Sequence, residues 1–173
     1  MTLFEFEHQV KQHKDRVYGF AFHYLGSSEE AEDVTQEVFI RFWQHRTSVD
    51  HSQPIGWLLR VTRNAAIDAI RKRKTYQRNV SVDSEMIEHA SEIALSPEQN
   101  AEYADFRGHL KRALDTLAEP YRSIVIMREI EEMKYNEIGE TLDLPLNTVK
   151  VYLHRARKML RDQLKEVYHR EHE

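Results

Sequence analysis

Between Asp143 and Leu164 the chain reads DLPLNTVKVYLHRARKMLRDQL, a text whose apolar residues recur at one period only. At about 100° per residue, Val149, Leu153, Ala156, Leu160 and Leu164 gather in one arc, while Asn147, Lys150, His154, Arg155, Lys158 and Arg161 point away from it. The spacing predicts a helix with one packing side and one side free to meet an anion. From Leu146 to Arg161 there are five positive residues (Lys150, Arg155, Arg157, Lys158, Arg161) and no negative one, although the whole chain carries a net charge of −4.

A solvated face is the plainest account of such a charge run. The preceding text argues for more. Lys134 to Leu142, KYNEIGETL, places Ile138 and Leu142 at helical spacing, and the break Asp143-Leu144-Pro145 follows. Proline is tolerated where a helix starts, because no backbone donor is lost there. Helix, short turn, basic amphipathic helix is the helix-turn-helix arrangement, in which the second helix enters the major groove by its N-terminal residues and its later basic residues meet phosphates. On that geometry Asn147, Lys150, Val151, His154 and Arg155 are candidates for base edges, and Arg157, Lys158 and Arg161 for the DNA backbone.

Five glycines, four prolines and few alternating β-branched runs leave little material for strands and hairpins, so an all-α fold is expected. The absence of cysteine excludes disulfides, thiolate metal sites and thiol chemistry, and fits a reducing cytoplasm. No apolar run approaches the roughly 20 residues that span a bilayer, and the start MTLFEFEHQ is acidic where a signal peptide is basic. A soluble, cytoplasmic protein with no membrane insertion is the expectation.

Charge falls in blocks that mark the organisation. Glu29 to Glu37 holds five negative residues and no positive one; Arg60 to Arg78 holds seven positive residues against Asp68, a net of +6. Asn79 to Glu98 then carries Asp83, Glu85, Glu88, Glu92 and Glu98 with no Lys or Arg, in Ser-rich and weakly periodic text. Two small helical domains are expected, residues 1–75 and 99–173, joined by a flexible acidic linker over 76–98.

In the first domain, AEDVTQEVFIRFW (Ala31 to Trp43) turns Val34, Val38, Phe39 and Phe42 inward and Asp33, Gln36, Glu37, Arg41 and Gln44 outward. An amphipathic helix with an acidic first turn accounts for this alone. The segment PIGWLLRVTRNAAIDAIRKRK (Pro54 to Lys74) gathers Leu58, Val61, Ala65 and Ala69 as a packing arc and sets Arg60, Arg63, Arg71 and Lys74 within an arc of about 80° elsewhere. Trp57, Asn64 and Asp68 share a third flank, where the indole either packs or stacks on a base. A basic stripe interleaved with aromatics is what single-stranded nucleic acid uses.

These three segments carry a family resemblance. YGFAFHYLGSSEEAEDVTQEVFIRFW (Tyr18 to Trp43) resembles the polymerase-binding region of bacterial sigma factors of the extracytoplasmic-function (ECF) class, within the sigma-70 family. PIGWLLRVTRNAAIDAIRKRK resembles that class's −10 element region, and Leu114 to Leu160, LDTLAEPYRSIVIMREIEEMKYNEIGETLDLPLNTVKVYLHRARKML, its −35 element domain. The resemblance is collinear over nearly the whole chain.

The resemblance implies partners and roles. Asp33, Gln36 and Glu37 would dock on the clamp coiled coil of the largest subunit of core RNA polymerase, and the second domain would meet the flap of the second-largest subunit. Trp57, Arg60, Arg63, Asn64, Asp68, Arg71 and Lys74 would serve the −10 element, with Asn64 and Asp68 at the family's Asn and Asp positions. The loop of about Thr47 to Trp57 would capture a non-template base extruded from the melted strand. Lys150, His154 and Arg155 would face −35 bases, and the acidic linker would thread toward the RNA exit path. An anti-sigma factor is a further partner that the class permits. The class implies a transcription initiation factor, not an enzyme, responding to stress or another signal, with no cofactor, no metal and no catalytic residue. One departure stands out: many relatives read Thr-Val-Lys-Ser-Arg where this chain has Thr148-Val149-Lys150-Val151-Tyr152. Val151 faces outward and suits a thymine methyl, whereas Tyr152 lies at the edge of the apolar arc and is expected to pack.

Two rival readings have sequence support of their own. A helix-turn-helix repressor or activator explains the second domain but leaves the acidic face and the stripe from Arg60 to Lys74 without a task. A helical metalloenzyme is prompted by ten histidines, yet His8 and His13, and His169 and His172, lack an accompanying carboxylate in a recognisable site pattern.

Overall fold

A computed structural model describes residues 1–79 and 97–171 of the chain. Among these residues every regular element is helical: α1 (Leu3–Leu25), α2 (Ser28–Gln44), α3 (Ile55–Asn79), α4 (Pro97–Asp115), α5 (Tyr121–Val125) running into a π-type turn (Ile126–Ile130), α6 (Tyr135–Leu142) and α7 (Leu146–Glu171). The helices sort into two units, Met1–His89 and Ala90–Glu173. Most of the expected acidic linker lies outside the described residues; its two ends are helical, since α3 runs to Asn79 and α4 begins at Pro97.

In the first unit, local chemistry sets the helix ends. Thr2 caps α1 reciprocally with Glu5: the Glu5 amide donates to Thr2 Oγ1 at 3.2 Å and the Thr2 amide to Glu5 Oε2 at 2.6 Å. Gly26, at φ 71°, ends α1 in the left-handed region, and Ser27 Oγ accepts from the Glu30 amide at 3.3 Å to start α2. The turn is therefore tight, and α1 and α2 are antiparallel neighbours with α3 packed on both.

Val17, Phe20, Ala21, Tyr24 and Leu25 of α1 meet Val34, Val38, Phe39 and Phe42 of α2, the four residues expected to face inward. On α3 the expected arc is shifted. Leu58 and Ala65 are buried, but Val61 and Ala69 are partly exposed, and Leu59, Thr62 and Ala66 complete the buried stripe. Packing against two helices instead of one widens and rotates the stripe. Thr62 tolerates burial because its hydroxyl donates to the Leu58 carbonyl at 2.7 Å.

The second unit is built on α7. Val149, Leu153 and Ala156 are buried on the side of α7 that packs on α5 and α6, where Ile124, Val125 and Ile138 are buried too. Fully burying side chains of the Val and Leu type stabilises by about 1.5–3 kcal/mol each. Arg122 is buried as well, its Nε donating to the Leu114 carbonyl at 3.0 Å and its Nη2 to Asp115, which ties the start of α5 to the end of α4.

α7 starts at Leu146, directly after the break expected at Asp143-Leu144-Pro145. Asp143 closes α6 in the left-handed conformation, φ 55°, and Leu144 and Pro145 form the turn. The Leu144 amide donates to the Gly139 carbonyl at 2.9 Å, and a Cβ built on Gly139 would lie 2.8 Å from the Leu144 carbonyl oxygen. Glycine at this position is what lets the turn fold back onto α6. At the other end, Leu164 is not in the packing arc: it is 50% exposed, because α7, about 39 Å long at 1.5 Å per residue, outruns the short helices α5 and α6 that cover its apolar side.

Two expectations follow from the packing. Gly139→Ala forces a methyl group into a backbone oxygen and should destabilise the second unit by about 1–3 kcal/mol, lowering its melting temperature in a thermal scan; an unchanged transition contradicts the close approach. His13 is buried on α1, and burial, then the charges of Arg16 and His8, lowers its pKa below the ordinary value. The folded state therefore prefers neutral His13, and the unfolded chain takes up the proton first as pH falls. Stability of the first unit should be level above about pH 6.5 and fall as pH drops from there toward the lower folded pKa. Urea unfolding between pH 8 and pH 5 should show this slope, reduced in His13→Gln; equal slopes would remove His13 as the cause.

Candidate protein and nucleic-acid interfaces

On α2, burial of Val34, Val38 and Phe42 leaves Asp33, Gln36 and Glu37 exposed on the opposite face. Glu37 pairs with Arg41 one turn on. Ile40 stands in the same outward line, 58% exposed. Sequence reasoning passed over it; the available signal was an apolar residue two turns from Asp33 on an otherwise polar stripe.

Asp33 and Glu37 also rim an open groove between α2 and α3, whose floor is Val34, Ala65 and Ala69 and whose far wall includes Asp68, Lys72, Arg73 and Tyr76. Arg73 reaches across to Glu30 at 3.3 Å, so this cation of the basic block is spent in joining the two helices.

The stripe on α3 is brought together as one exposed row. Arg60, Asn64, Asp68, Arg71 and Lys74 are exposed and Arg63 is partly so. Within it, Arg63 Nη1 donates to Asn64 Oδ1 at 3.3 Å, and Asp68 lies 3.6 Å from Arg71. Trp57 has a different setting. Its indole is partly buried and packs on the rings of Phe42 and His45, each with centroids 5.8 Å away.

Those rings belong to an aromatic cluster that holds the connection between α2 and α3. Phe6 meets Phe42 at 6.1 Å and Trp43 at 5.1 Å, His51 stands edge-on to Phe42 at 6.3 Å, and Arg46 stacks over Trp43 at 4.4 Å. Gln9 Nε2 donates to the His51 carbonyl at 3.3 Å, pinning the connection to α1. Ser52 donates both its hydroxyl (2.7 Å) and its amide (2.9 Å) to Asp50 Oδ1, and these bonds hold the Asp50 carboxyl below its usual pKa. Of the contributors, the Arg46 stack was legible as an aromatic followed by an Arg one turn later. The Gln9 and Phe6 contacts cross about forty residues and carry no local signal.

On α7, Asn147, Lys150, Val151, His154, Arg155, Lys158 and Arg161 are all exposed, with Val151 at 46%. Tyr152 packs edge-on against Tyr121 at 5.3 Å, as its wheel position implied. Arg157 is exposed too, yet it already has a partner: its Nε and Nη2 donate to Glu129 Oε1 at 2.8 and 2.5 Å. Donating to the Glu129 carboxylate raises the Arg157 pKa above its ordinary value, so the cation is held.

His8 is exposed and His13 buried on α1; the side chain of His169 and all of His172 lie outside the described residues. Among the described residues there is no group of three or more His, Cys, Asp or Glu side chains placed to hold a metal ion, and no helix long and apolar enough to cross a membrane.

Residues 9–76 match the family model for Sigma-70 region 2, and residues 107–160 that for Sigma-70, region 4. The chain is 34% identical to the ECF RNA polymerase sigma factor SigW of Bacillus subtilis, covering 91% of this chain and 88% of that protein. It is 38% identical to the ECF RNA polymerase sigma factor SigE of Mycolicibacterium smegmatis over 90% of this chain, and spans 60% of that relative's length. Two solved structures share the fold. One is the sigma factor RpoE in complex with the anti-sigma factor NepR from Bartonella quintana, with a TM-score of 0.67, 22% identity and coverage of 92% and 96% of the two chains. The other is CnrH in complex with the cytosolic domain of CnrY, with a TM-score of 0.70, 20% identity and coverage of 93% and 88%.

Proposed function

This chain belongs to the extracytoplasmic-function class of sigma-70-family RNA polymerase sigma factors, and from that premise we propose how its residues divide the work of directing polymerase to promoters. The observation that carries the reading is the collinear order of two matched regions, each presenting outward a charged face of the sign its task requires.

The α2 face, Asp33, Gln36 and Glu37 with Ile40 as an apolar anchor, docks on the clamp coiled coil of the polymerase largest subunit. An exposed apolar residue among acids suits a protein partner, because it supplies buried area while the charges supply orientation. The α3 stripe from Arg60 to Lys74 tracks the −10 element, with Arg60, Arg63, Arg71 and Lys74 neutralising phosphates and Asn64 and Asp68 near the melted strand. Trp57 acts as a wall of the connecting loop, which receives the extruded base. Extrusion costs a few kcal/mol, which pocket contacts and the cationic surface offset.

In the second unit α7 reads the −35 element. Lys150, His154 and Arg155 meet base edges with Asn147 and Val151, the last suited to a thymine methyl; Arg157, Lys158 and Arg161 face the backbone. The flap of the second-largest subunit is the polymerase partner of this unit. The acidic linker over 76–98 threads toward the RNA exit path. An anti-sigma protein is a regulatory partner, a reading supported by the RpoE–NepR complex sharing this fold. Core polymerase supplies the chemistry and places the protein in the cytoplasm, and no catalytic residue is assigned to the chain. A stand-alone helix-turn-helix repressor is disfavoured by the region 2 match over residues 9–76.

Transcribing a genomic library with core polymerase plus this chain tests the function and reads the promoter together; no specific start would sink the reading. Replacing Asp33 and Gln36 together by Arg should weaken core binding at least about tenfold, since like charges then face each other, while the second unit keeps its own unfolding transition. Retained affinity would remove α2 from the interface. Lys150→Ala should cost on the order of 1–3 kcal/mol in promoter binding and relax preference at one base pair; an unaltered footprint and preference would exclude base contact.

A further inference from the structure

Arg157 lies about two turns beyond Lys150 and one beyond His154 on α7, hence within about 20° and 60° of them around the helix axis. It is thus on the outward basic side, yet two of its donors are engaged by one carboxylate oxygen of Glu129, at 2.8 and 2.5 Å. A guanidinium offers five donors in a rigid plane, so binding along the Nε–Nη2 edge fixes the direction in which the Nη1 end points. Both side chains are nearly half exposed, 45% for Arg157 and 43% for Glu129.

Glu129 is itself braced. It sits in the π-type turn Ile126–Ile130, where the Glu131 amide reaches back to the Ile126 carbonyl at 3.0 Å, and such turns occur frequently at functional sites. Its neighbour Arg128 donates Nη1 to the Met133 carbonyl at 2.7 Å and stacks 4.9 Å over the ring of Tyr135.

We propose that Glu129 is a positioning residue for promoter binding: it orders the half-exposed Arg157 side chain on the outward basic side of α7 for contact with a DNA phosphate, and the pair persists in the complex. The inference rests on the reading of α7 as the promoter-contacting helix. A long side chain loses rotamer freedom when it binds, and a carboxylate that orders it beforehand removes that cost from the binding step. Exchange of Glu129 for phosphate is disfavoured, since it would leave an unpaired carboxylate facing the negative field of the duplex.

The test titrates holoenzyme, made from the full chain and core polymerase, on a fragment carrying the strongest promoter from the library transcription, over a series of salt concentrations. Arg157→Ala should lower the salt slope by about 0.9, the loss of one phosphate contact. Glu129→Ala should weaken binding by about three- to tenfold at fixed salt and have no further effect in an Arg157→Ala background. Glu129→Gln, whose carbonyl accepts the same hydrogen bonds, should restore affinity to within about twofold of wild type.

A pair with only a structural role would lower the melting temperature without moving the salt slope, and that result overturns the proposal. Tighter binding by Glu129→Ala also overturns it, because it is the mark of a carboxylate that competes with phosphate. Lys150→Ala separates the two levels. If it weakens binding while the Glu129 and Arg157 variants do not, only this inference falls; if all are silent, the reading of α7 falls with it.

Discussion

A helix that buries one stripe has no choice about what its other side shows, and both units depend on that constraint. Val34, Val38 and Phe42 bury one side of α2 and thereby turn Asp33 and Glu37 outward; Val149, Leu153 and Ala156 do the same on α7 for Lys150, His154 and Arg161. Each large buried side chain contributes about 1.5–3 kcal/mol, whereas an exposed charge contributes little. Packing therefore sets the rotation of each helix, and the charged faces inherit their direction from it.

Charge then works within the frame that packing supplies. The pairs Glu37–Arg41, Asp68–Arg71 and Glu129–Arg157 lie at the surface, where such bridges are worth about 0–1 kcal/mol, whereas Glu30–Arg73 is partly buried. Their effect is to decide which cations of a basic block can serve a partner. Arg73, counted in the +6 block from Arg60 to Arg78, is drawn to α2, whereas Lys74 next to it stays in the exposed row.

The connection between α2 and α3 shows how a loop gains a fixed form without regular structure. Phe6 and Gln9 of α1 reach Phe42, Trp43 and His51 across the chain, and Ser52 closes a local turn on Asp50. The rings act as a scaffold, so Trp57 supports the loop by packing on Phe42 and His45. In the second unit the corresponding constraint is Gly139, whose missing side chain makes room for the Leu144 carbonyl and so sets α7 against α6.

The sequence by itself determined the all-helical class, the inward set on α2, the outward set on α7 and the packing of Tyr152, because a period of 3.6 residues couples neighbours on one helix and needs no knowledge of what lies opposite. It also held the family resemblance, since that resides in collinear order. What it could not set was anything decided by contact between distant segments. Leu59, Thr62 and Ala66 are buried because α3 meets two helices at once; Leu164 is exposed because its partners end before it does; Arg157 is held by a carboxylate 28 positions away. The break at Asp143-Leu144-Pro145 was legible from its proline, whereas the left-handed cap at Asp143 and the bond from the Leu144 amide to the Gly139 carbonyl belong to the folded turn. Local periodicity fixes which face a residue occupies, and only tertiary packing decides what that face touches.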